Sequence, residues 1–185
     1  MPRTVHISTW GRPLFEAIPE RSPGVDVERF KAVYSRVLSE YNALGKHDAI
    51  PQENYQTLDE LIRQGKMIML LTSRTHGELS HLMEPDHLLT ARIKAFYYRD
   101  NMQFYKPDPR AFDELLHDND LSPAQCVYVG DSTSDAVAAN KAGLHFIASL
   151  ESGLRQKQDF SDLVVDCFID TFPGLVSAIA AIEAN

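Results

Sequence analysis

Nowhere in this sequence does an apolar run approach the length needed to cross a bilayer. The first residues, Met1-Pro2-Arg3-Thr4-Val5-His6-Ile7, also lack the apolar stretch of a secretory signal. The expectation is a cytoplasmic protein with no membrane partner. Cysteine is equally scarce. Cys126 and Cys167 each sit in an apolar run that reads as strand, so quiet core positions are expected, not a disulfide or a catalytic thiol.

Positive charge is short too. Against 26 Asp and Glu there are 18 Lys and Arg, a formal net charge of -8, and the cations form no stripe. Phosphate backbones require clustered cations, so no nucleic-acid partner is expected. A phosphorylated small molecule remains open, because a metal ion and one or two local cations can offset the global charge.

What is present describes an ordinary globular chain. With 44% hydrophobic and 24% charged residues over 185 positions, it can build one well-packed domain with a small appendage. Residues 1–50 read as helical. After Pro23-Gly24, apolar residues recur at three- and four-residue spacing from Val27 to Tyr41, and Asn42 to Gly45 end the pattern. A second helix is expected from Gln52 to Gln64, stopped by Gly65.

Beyond it, strands alternate with helices. Met67–Leu71, Ala95–Tyr98, Cys126–Val129, His145–Ala148 and Cys167–Ile169 read as strands. Helices are expected after Thr75, at Pro109–His117, at Thr133–Ala142 closed by Gly143, and at Pro173–Ile182. The fold class is therefore α/β: an open parallel, Rossmann-like sheet with helices on both faces over residues 51–185, preceded by a helical part over residues 1–50.

In such sheets ligands sit beyond the carboxyl ends of the strands, so the polar residues that follow each apolar run are the candidates. In Val129-Gly130-Asp131-Ser132-Thr133-Ser134-Asp135, two carboxylates and several oxygens suit a hard cation such as Mg²⁺. The same residues also suit plain helix capping. In Leu71-Thr72-Ser73-Arg74-Thr75, the Thr72 hydroxyl and the following N–H groups could hold an anionic oxygen, or simply cap a helix. In Lys106-Pro107-Asp108-Pro109, two prolines stiffen the backbone that carries an ammonium. His76, His81 and His87 fall at irregular spacing in a polar stretch, and solvated surface is their default.

Taken in order, Thr72, Lys106 and the turn from Gly130 to Asp135 resemble the motifs of the haloacid dehalogenase-like superfamily, most closely its phosphoglycolate phosphatase and β-phosphoglucomutase type. The resemblance runs from about Trp10 to the C-terminus, and it makes residues 1–50 part of a helical cap. It implies an Mg²⁺-dependent phosphomonoesterase acting on a small phosphorylated metabolite through an aspartyl-phosphate. Thr72 and Ser73 would bind the phosphate, and catalytic Lys106 would bridge phosphate and nucleophile. Asp131 would ligate Mg²⁺, and Asp135 would ligate it or orient it through water.

One family motif has no counterpart in the chain: a strand ending Asp-x-Asp-x-Thr, whose first Asp attacks phosphorus. The only Asp-x-Asp here, Asp118-Asn119-Asp120, follows a helix pattern. The expectation is a true start upstream of Met1, with natural loss of the strand as the alternative. Without that strand its neighbours keep unpaired edges, so self-association and little turnover are expected. A non-catalytic phosphate- or metal-binding regulator is the competing function. A receiver-type signalling domain ranks below it, because Lys106 precedes the Gly-Asp turn.

Overall fold

The computed structural model describes residues 2–44 and 48–184, without the side chain of Arg3. Eight α-helices are described: α1 (Arg3–Ser8), α2 (Leu14–Arg21), α3 (Val27–Ala43), α4 (Gln52–Arg63), α5 (His76–Leu79), α6 (Asp113–Asp118), α7 (Thr133–Ala142) and α8 (Leu175–Glu183). The strands are β1 (Met69–Leu71), β2 (Ala95–Tyr97), β3 (Val127–Gly130), β4 (His145–Ser149) and β5 (Cys167–Ile169).

Local chemistry explains most boundaries. Asp26 accepts the Arg29 N–H at 3.0 Å and starts α3. That helix ends at Ala43, and the expected stop at Gly45 lies outside the described residues. Gly143, at φ +80°, closes α7 in the left-handed region. The segment Pro109–His117 divides: Pro109–Phe112 form a 3₁₀ turn capped by Asp108, and only then does α6 begin. Pro173 likewise lies in a 3₁₀ turn, Phe172–Gly174, ahead of α8.

Every strand pairing is parallel, as the alternation predicts, but the sheet comes in two pieces. β1 pairs with β2, and β3, β4 and β5 follow one another in a second ladder. Among the described residues no backbone ladder joins β1 to β3. Instead the Tyr128 hydroxyl, on β3, donates to the Leu71 carbonyl of β1 at 3.3 Å.

Only the middle strand of the larger ladder is buried on both sides. Phe146 and Ala148 of β4 pack with Ala136 and Ala139 of α7 and with Phe112 and Leu115 near α6. Ile147, between them, faces Leu61 of α4 and Leu175 and Ala178 of α8. Period-2 alternation thus places helices on both faces of the sheet. Cys167 lies in β5, whereas Cys126 immediately precedes β3, and both thiols are free and half-buried. No helix among the described residues is long and apolar enough to cross a membrane.

Asp166 ties β4 to the start of β5. Its carboxylate receives the Phe146 N–H at 2.7 Å and lies 2.9 Å from His145 Nδ1. Burial opposes its ionisation, but His145 and the Phe146 N–H outweigh that and hold the carboxyl below its ordinary range. A lowered acid stabilises the fold above its unfolded pKa of about 4, and that contribution is lost as pH falls through the lower folded value. Asp166→Asn should therefore melt below wild type at pH 7, with the difference closing below about pH 4 in thermal scans.

Candidate active site

The strand-end residues converge where β1 and β3 face each other. Lys106 enters from the loop ahead of α6, across a cis Lys106–Pro107 peptide. Its ammonium donates to Asp135 Oδ1 at 2.6 Å and to the Tyr128 hydroxyl at 2.6 Å. The ion pair is shielded from solvent, with side chains 9% and 7% exposed. Burial on its own would lower Lys106, but the Tyr128 oxygen and the Asp135 carboxylate raise it above its ordinary value. Burial pushes Tyr128 up to about 12, so near neutral pH it is an uncharged phenol. The carboxylate of Asp135 is then what keeps Lys106 charged.

Asp135 serves the helix as well as the lysine. Its Oδ2 accepts the Ser132 N–H at 3.0 Å and the Ser132 hydroxyl at 2.7 Å, while its own N–H donates to Ser132 Oγ at 3.2 Å. This reciprocal capping box starts α7. Gly130 makes room for it: a Cβ there would come within 2.6 Å of Asp135 Oδ2. The capping reading of the turn is met by Asp135, which is at the same time the partner of Lys106.

Asp131 projects from the same turn toward the helical part of the chain. Its Oδ2 accepts the Trp10 indole N–H at 3.0 Å. Burial raises the Asp131 carboxyl, the Trp10 bond lowers it, and the neighbouring Asp135 charge raises it further. Two carboxylates face one ammonium there, and Lys106 is directed at Asp135. The excess of buried negative charge and the hard oxygen donors suit a divalent cation. Among the described residues no group of three or more His, Cys, Asp or Glu gathers around one point.

Thr72 directly follows β1, where its N–H donates to the Tyr97 carbonyl at 2.9 Å and its hydroxyl accepts the Arg74 N–H at 3.3 Å. A continuous path links it to the rest: Leu71 carbonyl, Tyr128 hydroxyl, Lys106 ammonium, Asp135 carboxylate. Ser73 lies half-buried in the same turn. The path from Asp135 thus ends at Leu71, the residue before Thr72, and Asp131 adjoins Asp135 in the β3–α7 turn.

Two members of the cluster escaped the sequence reading. Tyr128 is a half-strand aromatic whose contacts depend on a residue 57 positions away. Trp10 reaches across 121 positions, and its rarity was the only hint. His81 differs from expectation: it is only 18% exposed, with Nε2 3.1 Å from Asp48. Asp118 and Asn119, of the lone Asp-x-Asp, end α6 and bond the Tyr97 hydroxyl at 3.4 and 3.1 Å.

A family model described as haloacid dehalogenase-like hydrolase matches residues 9–149. A phosphoglycolate phosphatase of Aliivibrio fischeri is 29% identical over 157 residues, spanning 84% of this chain and 68% of that protein. A crystal structure of a haloacid dehalogenase-like hydrolase from Bacteroides fragilis superposes with TM-score 0.77 at 25% identity, covering 95% of this chain and 83% of its own. CbbY from Rhodobacter sphaeroides, solved with phosphate, superposes with TM-score 0.74 at 18% identity, covering 96% and 81%.

Removing the ammonium should strand a buried carboxylate. Lys106→Met should cost about 3–5 kcal/mol in urea unfolding, and adding Asp135→Asn should recover part of the loss by removing the orphaned charge.

Proposed function

This chain belongs to the haloacid dehalogenase-like hydrolase family, and from that premise we propose that it is the phosphate- and Mg²⁺-binding part of a phosphomonoester hydrolase for a small phosphorylated metabolite. The observation that carries the reading is the buried Lys106–Asp135 pair beside Asp131, one residue chain away from the end of β1. Phosphoglycolate is the first substrate to test, because a relative carries that activity in its name.

Each residue has a role that its surroundings support. Thr72 and Ser73 would receive the phosphate with their hydroxyls, the Thr72 and Arg74 N–H groups being bonded to the Tyr97 carbonyl and the Thr72 hydroxyl. Lys106, kept charged by Asp135, would neutralise a phosphoryl oxygen without needing to be recharged. Asp131 would hold the cation, and Asp135 would ligate it or orient it through water. When bound, the cation supplies charge neutralisation and alignment of the phosphoryl group.

An aspartyl-phosphate route also requires an attacking carboxylate, and no Asp-x-Asp-x-Thr occurs in the 185 residues. The chain as it stands is therefore expected to bind without appreciable turnover. The edges of β1 and β3 that enter no backbone ladder among the described residues support self-association, which sedimentation velocity would register as a concentration-dependent shift.

Thermal scans with inorganic phosphate and MgCl₂, run beside a phosphoglycolate hydrolysis assay, test the assignment. Both ligands should raise Tm, as ligands of the native state do. Asp131→Asn should abolish the Mg²⁺ shift, and Lys106→Met should abolish the phosphate shift. Rapid hydrolysis that persists in Asp131→Asn would remove the metal and the motif from the account.

A further inference from the structure

The segment ahead of α2 is fixed by several independent contacts. Thr9 is fully buried. Arg21 donates to its hydroxyl at 2.8 Å and to its carbonyl at 3.0 Å. Arg155, 148 positions along the chain, donates to the Ile7 carbonyl at 2.7 Å. Gly11 then lies directly against the β3–α7 turn: at φ +84°, a Cβ would meet Ser132 Oγ at 2.8 Å and Ser134 Oγ at 2.9 Å. Only glycine permits so close an approach with that backbone. The result is that the one tryptophan of the chain is delivered to Asp131 Oδ2.

The chemistry of an indole narrows what this contact can do. Its N–H only donates, so it can neither ligate a cation nor take up a proton. By engaging Oδ2 it orients the carboxylate and leaves Oδ1 outside that bond. The neighbouring charges do not do this: Asp135 repels Asp131, and the Lys106 ammonium is committed to Asp135 and Tyr128. Carboxylates that bind a metal through one oxygen are commonly held by a donor at the other.

We propose that Trp10 is a positioning residue of the cation site, its indole N–H holding Asp131 so that Oδ1 is presented to a divalent cation. The proposal rests on the metal role assigned to Asp131 above. It also couples the two parts of the chain: a cation on Asp131 favours the docked segment, and by reciprocity the docked segment favours the cation.

Calorimetric titration of the 185-residue chain with MgCl₂ tests this, alongside the emission of Trp10. Trp10→Phe should weaken Mg²⁺ binding about 10-fold or more in protein that retains its native circular dichroism. Gly11→Ala should weaken it in the same direction while keeping the indole, because its new methyl group pushes the segment off the Ser132 turn. In wild type, Trp10 emission should change with the calorimetric midpoint, and Asp131→Asn should remove both signals. A Trp10→Phe protein that melts lower yet binds Mg²⁺ as wild type does would reduce Trp10 to packing and overturn the proposal. Tighter binding by that variant would overturn it as well, since the indole would then compete with the cation. Absence of Mg²⁺ binding in wild type is a different failure: it removes the metal role of Asp131, and the role of Trp10 with it.

Discussion

The ion pair between Lys106 and Asp135 holds the site together because each partner has a second commitment. Asp135 is also the reciprocal cap of α7, so the lysine is bound to the start of a helix through a residue whose own position is set by Ser132. Lys106 in turn holds the Tyr128 hydroxyl, and Tyr128 reaches the carbonyl at the end of β1. Loss of the pair would release a loop, a helix start and an inter-strand contact together. A buried pair of this kind contributes less to net stability than to placement, because desolvation consumes much of its Coulombic gain. What it fixes here is a charge at a stated position, which is what a phosphoryl-binding site requires.

Electrostatics in the turn divide the labour between its two aspartates. Asp135 is neutralised by an ammonium and satisfied by N–H and O–H donors. Asp131, four residues earlier, receives an uncharged donor and feels the repulsion of its neighbour. One carboxylate is held by an ammonium and by a helix cap, the other by an indole N–H. Identical residue types acquire different chemistry through their partners.

Much of this was legible in the sequence. The polar residues that end apolar runs, Thr72, Lys106 and the Gly130–Asp135 turn, could be picked out because parallel strands present their C-terminal ends to one side. The helix over Val27–Ala43 and the glycine stop at Gly143 follow from periodicity and backbone freedom. The contacts of Tyr128 and Trp10 could not be read, because both depend on which distant backbone lies opposite them. His81 was misplaced for a related reason: polar composition around it suggested solvent, whereas the chain folds Asp48 against it. The 3₁₀ turns at Pro109 and Pro173 show the limit of periodicity, since a proline-led start can satisfy the same apolar spacing with a tighter turn.

Helix α4 has a consequence of its own. The two ladders share no backbone bonds among the described residues, so cooperativity cannot pass between them through a sheet. α4 spans the break: Tyr55 and Leu58 pack with Ile68 and Leu70 beside β1, while Leu61 packs with Ile147 and Ile169 of the other ladder. It acts as a splint. Together with the Tyr128 hydroxyl on the Leu71 carbonyl and the core that packs Leu71 and Tyr97 with Phe146, the side chains of this amphipathic helix join two ladders that no backbone bond connects among the described residues.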